Sequence, residues 1–242
     1  MNAQTMHQQI QHARDYFGAD YYGRPRFAKF LPYFQQPGTI LDYGCNEGVF
    51  LHLLREHGRD GLGIDYDLKN IERCRQFGLA ADHADIFAFT ADPANHNQYA
   101  GIMMADFVEH FDPYPLQQLL EQSVHLLKPG GTMVIVTPNS RSIHMATGGF
   151  YEFTIEHHNP YSVFGLRQYL EKHGMEWVAS DVDDDTRTPV FTPHPTRFAR
   201  NIGIWILGRI LCGKGCMHET TYLIMRKGDG ADSGRFARSP QR

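Results

Sequence analysis

"TILDYGCNEGVFLHLL", residues 39–54, runs from a short apolar segment through an acid and two glycines into apolar residues at helical spacing. A strand that turns tightly on glycine into a helix lets backbone N–H groups approach a ligand at the carboxyl end of a parallel sheet. One position stands out: Asn46 occupies a place where loops of this kind usually carry glycine.

Outward from this stretch, short apolar runs alternate with longer amphipathic ones. Strands are expected at 39–43, 61–65, 79–82, 100–105, 132–137, 175–181 and 219–226, and helices at 48–57, 67–77, 114–127, 162–173 and 197–211. This alternation predicts an α/β fold, a doubly wound, mostly parallel seven-stranded sheet with helices on both faces. Residues 3–36 read as two more helices, the first with Ile10, Ala13 and Phe17 on one face, the second starting near Pro25, before Pro37 and Gly38 stop the pattern. The expected organisation is N-terminal helices over a pocket (1–37), a main domain (38–227) with a helical insert at 183–217, and a polar tail (228–242) with too little to bury to be ordered.

A chain of 242 residues suits one domain of generous size. With 23 basic against 27 acidic residues, a net charge of -4 favours no polyanion, so nucleic acid is not an expected partner, although a local basic patch stays open. "MNAQTMHQQIQHARDYF" has polar residues throughout and reads as no secretory leader, and the four cysteines, Cys45, Cys74, Cys212 and Cys216, suit a reducing cytoplasm. Residues 201–213 fall short of the ~20 apolar residues a spanning helix requires. The helix expected at 197–211 interleaves Phe198, Ile202, Trp205, Ile206 and Ile210 with Arg197, Arg200 and Arg209. Such a helix covers the protein's own sheet or active site, or makes a peripheral or lipid-linked membrane contact. A monomer or a homodimer is expected.

The loop selects its ligand by elimination. Asp65 ends the next strand 21 positions after Gly44, close to the ~20-residue spacing at which a carboxylate grips both hydroxyls of a ribose. A dinucleotide fingerprint fails, because the second and third glycine positions hold Asn46 and Val49. A phosphate-binding loop fails too, since Val49 and Phe50 follow Gly48 in place of Lys and Ser or Thr.

The remaining pattern, D-x-G-x-x-x-G, resembles that of the class I S-adenosylmethionine-dependent methyltransferases. "GIDYD" resembles their ribose-binding strand end, "HADIF" the segment facing the adenine, "YAGIMMADFVEHFDP" the fourth strand with its Glu-His pair, and "LLKPGGTMVIVTPN" the following turn and fifth strand. "EHHNPYSVFGLRQYLEKHGMEW" is similar to the histidine-led segment of a subfamily that includes ubiquinone-pathway and glycan O-methyltransferases. The likeness covers residues 38–182 and implies S-adenosylmethionine as cofactor and an antiparallel last strand. It implies that Asp42, Gly44 and Gly48 shape the methionine end of the pocket, and Asn46 between them is expected to bond locally or reach the cofactor. Asp65 with Tyr66 would take the ribose, Asp85 with Ile86 the adenine, and Asp106 would lie near the transferable methyl. Asn46 departs from the pattern, but Asn enters positive φ more easily than other non-glycine residues, so the loop's path can survive.

A sulfonium donor is already activated, so only an acceptor of high pKa needs a base. His157, which leads H-x-x-x-Y-S, is the first choice for an acceptor-side role, and His110, just after the fourth strand, the second. Each has a bland counterpart: His157 ordering its loop, His110 packing beneath the cofactor loop. His144 has only a loop position to recommend it. Glu109, His110 and His157 could together hold a divalent ion, but no metal is expected. "CGKGCMH" at 212–218 lacks a partner pair for zinc. "DVDDD" at 181–185 reads as a solvated loop, and Tyr21, Tyr22, Arg24 and Arg26 either cap the pocket or pack at the sheet edge with the arginines in water.

The expected activity is methyl transfer to a small-molecule or glycan-type acceptor, at oxygen. RNA or protein methylation, and a catalytically inactive cofactor-binding partner subunit, are the alternatives.

Overall fold

The computed structural model describes residues 3–18, 24–142, 159–183, 195–211 and 218–229. Seven strands form one sheet: β1 (Ile40–Tyr43), β2 (Gly61–Asp65), β3 (Ala81–His83), β4 (Tyr99–Ala105), β5 (Leu127–Pro138), β6 (Met175–Val182) and β7 (Thr220–Lys227), in the order β3-β2-β1-β4-β5-β7-β6. All pairs from β3 to β5 are parallel, whereas β7 runs antiparallel to β5 on one side and to β6 on the other. The sheet is thus the mostly parallel, seven-stranded one expected, with its last strand reversed. Chain order turns around between β1 and β4, and ligands of open α/β sheets settle at that switch point, outside the strands' carboxyl ends.

Alternate side chains of each strand serve opposite faces. Leu41, Tyr43, Ile102, Met104, Met133 and Ile135 join one core cluster with α6 (Pro113–Leu126) and α7 (Val163–Lys172), and α5 (Ile86–Ala91) packs against it. Ile40, Met103, Val134 and Val136 join the other, with α1 (Ala3–Tyr16), α3 (Val49–Glu56) and α4 (Leu68–Gln76). Directly after α1, Phe17 is fully buried between Phe77 and His52, both ring centroids lying within 5.2 Å, and such burial contributes about 1.5–3 kcal/mol. The N-terminal helix is therefore anchored on α3 and α4.

Local chemistry sets the element ends. The Asp67 side chain accepts from the Lys69 N–H at the start of α4, and the Asp85 side chain accepts from the Ala88 N–H at the start of α5, both as N-caps. The helix α5 is absent from the sequence expectation: six residues with no polar face give no helical period. The second N-terminal helix is shorter than expected, comprising α2 (Arg24–Ala28) and one 3₁₀ turn (Leu31–Tyr33), and β5 begins five residues earlier, at Leu127. A last helix, α8 (Pro195–Leu211), leaves Trp205, Ile206 and Ile210 exposed. No helix among the described residues is long and apolar enough to cross a membrane. Tyr21, Tyr22, most of the 212–218 cysteine segment and the tail beyond Asp229 lie outside the described residues.

Candidate active site

The loop after β1 takes the left-handed conformation at every second residue: Gly44 at φ 63°, Asn46 at φ 47° and Gly48 at φ 88°. At Gly44 a Cβ would come within 2.9 Å of the Phe107 ring, and at Gly48 within 2.9 Å of the Cys74 Sγ, so backbone shape and packing both demand glycine there. Asn46 meets the same backbone requirement as one of the non-glycine residue types best able to bear it. Its N–H donates to Asp65 Oδ2 at 2.9 Å, and its carbonyl accepts from the Cys74 thiol at 3.3 Å. The Asn46 side chain makes no hydrogen bond to a described residue and lines the cleft.

Asp65 is held from three directions. Its carboxylate accepts from the N–H groups of Asn46 and Asp67, at 2.9 and 2.8 Å, and from the Asn70 amide at 3.2 Å. A carboxylate so fixed is oriented before any ligand arrives, with about one of its four lone-pair sites left for a hydroxyl donor. Tyr66 beside it is 83% exposed, with its ring available to a ligand.

Two adjoining cavities lie over this loop. The larger, about 550 Å³, is lined by Asn46, Asp65, Tyr66, Asp85, Ile86 and His110 among others. The smaller, about 230 Å³, takes Arg26, Phe27, Asp42 and Phe50, and Gly44, Asn46 and Asp106 line both. Every cofactor-side residue expected from the sequence except Gly48 therefore faces one cleft, and Gly48 starts α3 beneath it. Burial, with the Asp65 carboxylate as a lesser cause, pushes the Asp42 carboxyl up to about 8.

Past β4, Asp106 also takes a left-handed backbone, φ 49°, secured by its N–H to the Val136 carbonyl at 2.8 Å. Both its carboxylate oxygens accept from Arg26, at 2.5 and 2.8 Å. Arg26 is 5% exposed, and its Nε donates to Asp183 Oδ2 at 3.1 Å; Lys29 donates to the other Asp183 oxygen. This corrects one expectation and decides another. Asp183 is fully buried rather than part of a solvated acidic loop, and of the two readings for Arg26 the pocket-side one holds: it turns inward and lines the smaller cavity, because a buried carboxylate is retained only beside a cation. Among the described residues this cluster ties α2 to the ends of β4 and β6, and no motif in the sequence announced it.

Glu109 is buried below. Its Oε2 accepts from Thr137 Oγ1 at 3.0 Å, Oε1 has no partner among the described residues, and burial first, then the Asp106 charge, push the carboxyl up to about 8. His110 Nε2 lies 3.2 Å from the Asp106 carbonyl, which can only accept, so that nitrogen carries the proton in this bond. His144, His157 and His158 lie outside the described residues. Among the described residues no group of three His, Cys, Asp or Glu side chains could hold a metal.

A family profile described as "Methyltransferase domain" matches residues 11–180. The chain is similar to a ubiquinone biosynthesis O-methyltransferase of Chelativorans sp., 30% identical over 135 residues, 54% of this chain and 50% of that protein. It is similar also to a ribosomal protein L11 methyltransferase of Burkholderia vietnamiensis, 30% identical over 102 residues, 41% of this chain and 32% of that one. It thus spans half or less of the curated relatives it matches. Among solved structures, a SAM-dependent methyltransferase from Archaeoglobus fulgidus superposes with a TM-score of 0.68 at 25% identity, covering 90% of this chain and 98% of that one.

Proposed function

The chain belongs to the methyltransferase domain family, with the class I S-adenosylmethionine-dependent fold, and from that premise we propose that it methylates a small-molecule or glycan-type acceptor, at oxygen. The observation that carries this is the fixed Asp65 carboxylate facing a cleft that the left-handed Asn46 keeps open. S-adenosylmethionine, when bound, supplies an already activated methyl on a sulfonium.

The residues fit that group. Asp65 accepts from a ribose hydroxyl, and Ile86, Phe87 and Phe111 give the apolar surface an adenine needs. Asp106, at the other end, places a carboxylate where a ligand's positive charge is favoured, with Arg26 holding it in position, and the buried Asp42 carboxyl lies beside it as a hydrogen-bonding group. Phe27, Val49 and Phe50 exclude water from that end. His157 is assigned the acceptor-side base and His110 a supporting place beside Asp106. The helix α8 carries the exposed apolar residues Trp205, Ile206 and Ile210, which give an amphipathic acceptor or membrane surface a place to rest.

Calorimetry with S-adenosylmethionine tests the pocket, and a labelled donor offered to fractionated extract of the source cell tests the acceptor. Saturable binding and label in small molecules are expected. Label in protein alone would favour the second reading, which the ribosomal-protein methyltransferase relative supports. Binding without any transfer would favour an inactive partner subunit.

A further inference from the structure

Building on the methyl-transfer reading, we propose that the acceptor carries a small oxyanion, phosphate or carboxylate, seated in a third cavity of about 270 Å³ lying between the end of β5, the start of α7 and the end of β6. Because β7 runs antiparallel to both of its neighbours, β5 and β6 point the same way and both finish on the side where Asp65 and Asp106 lie, so the cavity opens on the ligand side.

Its walls include Arg141, Arg167, Asn139, Ser140 and Ser162, against one carboxylate, Asp181. Arg167 is prepared for an anion. Its guanidinium lies 4.4 Å over the Trp177 ring, and its Nε donates to Glu171 at 2.7 Å, which together fix the plane. Its two terminal nitrogens bond no described residue, and a planar fork held in this way suits the paired oxygens of a carboxylate or phosphate. Asp181 is diverted in part, because its Oδ1 accepts from the Val182 N–H at 2.8 Å. The Ser162 side chain leaves the first turn of α7 uncapped, so this helix end adds N–H donors and a positive dipole to what the two guanidinium groups supply. Beside the cavity Phe164 is 66% exposed and gives the rest of an acceptor an apolar surface.

The cavity is joined to the cleft by one short segment. The Asn159 N–H donates to the Glu109 carbonyl at 3.2 Å and the Tyr161 hydroxyl to the Phe111 carbonyl at 2.8 Å, so residues 159–162 run directly from the Asp106–Phe111 turn to the cavity wall. An acceptor anchored by its anion here reaches toward Asp106 along that segment.

The test is titration of inorganic phosphate, and separately acetate, into the full chain and into Arg167→Gln, Arg141→Gln and Arg167→Lys, at matched ionic strength. Saturable binding by the parent protein is expected, weakened about tenfold or more by either Gln substitution and less by Lys, which keeps the charge but not the fork. Preference for phosphate or for acetate tells the two sources apart. No saturable binding of either ion, or equal affinity in parent and Gln variants, overturns the proposal. In a second arm, products labelled from the methyl donor are separated by anion exchange: label in the retained fraction supports the subsite, and label confined to neutral products overturns it. If calorimetry detects no S-adenosylmethionine binding, the methyl-transfer reading fails by itself, and the phosphate titration still decides whether the anion site exists.

Discussion

Arg26 grips Asp106 through both terminal nitrogens, at 2.5 and 2.8 Å, while its Nε holds the fully buried Asp183 at 3.1 Å. One guanidinium thus joins a residue near the start of the chain to the ends of two strands. The two carboxylates differ in setting: Asp106 keeps 42% of its side-chain exposure and Asp183 keeps none.

Removing the cation should therefore act mainly through Asp183. Arg26→Ala should destabilise the fold by about 3–5 kcal/mol, toward the lower end because Lys29 still faces Asp183. Asp106→Asn, at a part-exposed position, should lose only about 1 kcal/mol. Urea denaturation of the two variants measures both, and equal losses would show that Asp183 does not depend on Arg26.

Asn46 predicts a graded series. Asn46→Gly keeps the left-handed backbone and the N–H to Asp65, so cofactor affinity should stay within a few-fold of the parent. Asn46→Val places a β-branched residue at φ 47°, with strain of about 1–2 kcal/mol or more, and should weaken binding about tenfold. Calorimetry with S-adenosylmethionine on the pair gives the answer, and a Gly variant as weak as the Val one would mean that the side chain itself binds the ligand.

For Asp65, substitution by Ala removes the proposed ribose acceptor and the partner of the Asn46 N–H together. Hydrogen bonds to a charged group contribute about 1.5–3 kcal/mol, so affinity should fall roughly ten- to a hundredfold. Unchanged affinity would move the pocket elsewhere.

A pH dependence follows from Glu109, whose carboxyl is pushed up to about 8 in the fold, from a usual range near ~4. Between those limits the folded protein keeps a proton that the unfolded chain releases, so this contribution is fully present below about pH 4 and is lost as pH rises through 8. Glu109→Gln cannot ionise. It should match the parent near pH 5 and be the more stable protein near pH 9, as followed by denaturant midpoints at the two pH values; a constant difference would exclude the linkage.

The thiol of Cys74 should matter through the loop rather than through redox chemistry. Cys74 is fully buried and donates to the Asn46 carbonyl across 28 positions of sequence. Cys74→Ser retains a donor and should bind cofactor better than Cys74→Ala, the two compared by the same calorimetry.

The sheet was legible because each strand is a short apolar run set off by turn residues, and seven such runs alternating with helices leave few arrangements. The loop was legible because glycine and asparagine are the residues that left-handed backbone selects, and the conformation at 44, 46 and 48 is what they signal. What stayed hidden depends on long-range pairing. Nothing local distinguishes Asp183 from the acids around it at 181–185, and its burial comes from Arg26 and Lys29, more than 150 positions away. The same holds for α5, whose six residues are too short and too uniformly apolar to show a helical period and which owes its start to the Asp85 cap.

The position of β7 between β5 and β6 sets an order of assembly. β6 precedes β7 in the chain yet has no neighbour in the sheet until β7 is laid down, so during synthesis it waits as an unpaired strand while β1 to β5 can already associate. Asp183 follows β6 directly and reaches Arg26 only after that insertion. The last strand to arrive thereby completes the electrostatic balance of a cleft to which it contributes no side chain. A nascent chain stopped before Thr220 would hold its cofactor loop in outline and still present Arg26 with only half of its counter-charge.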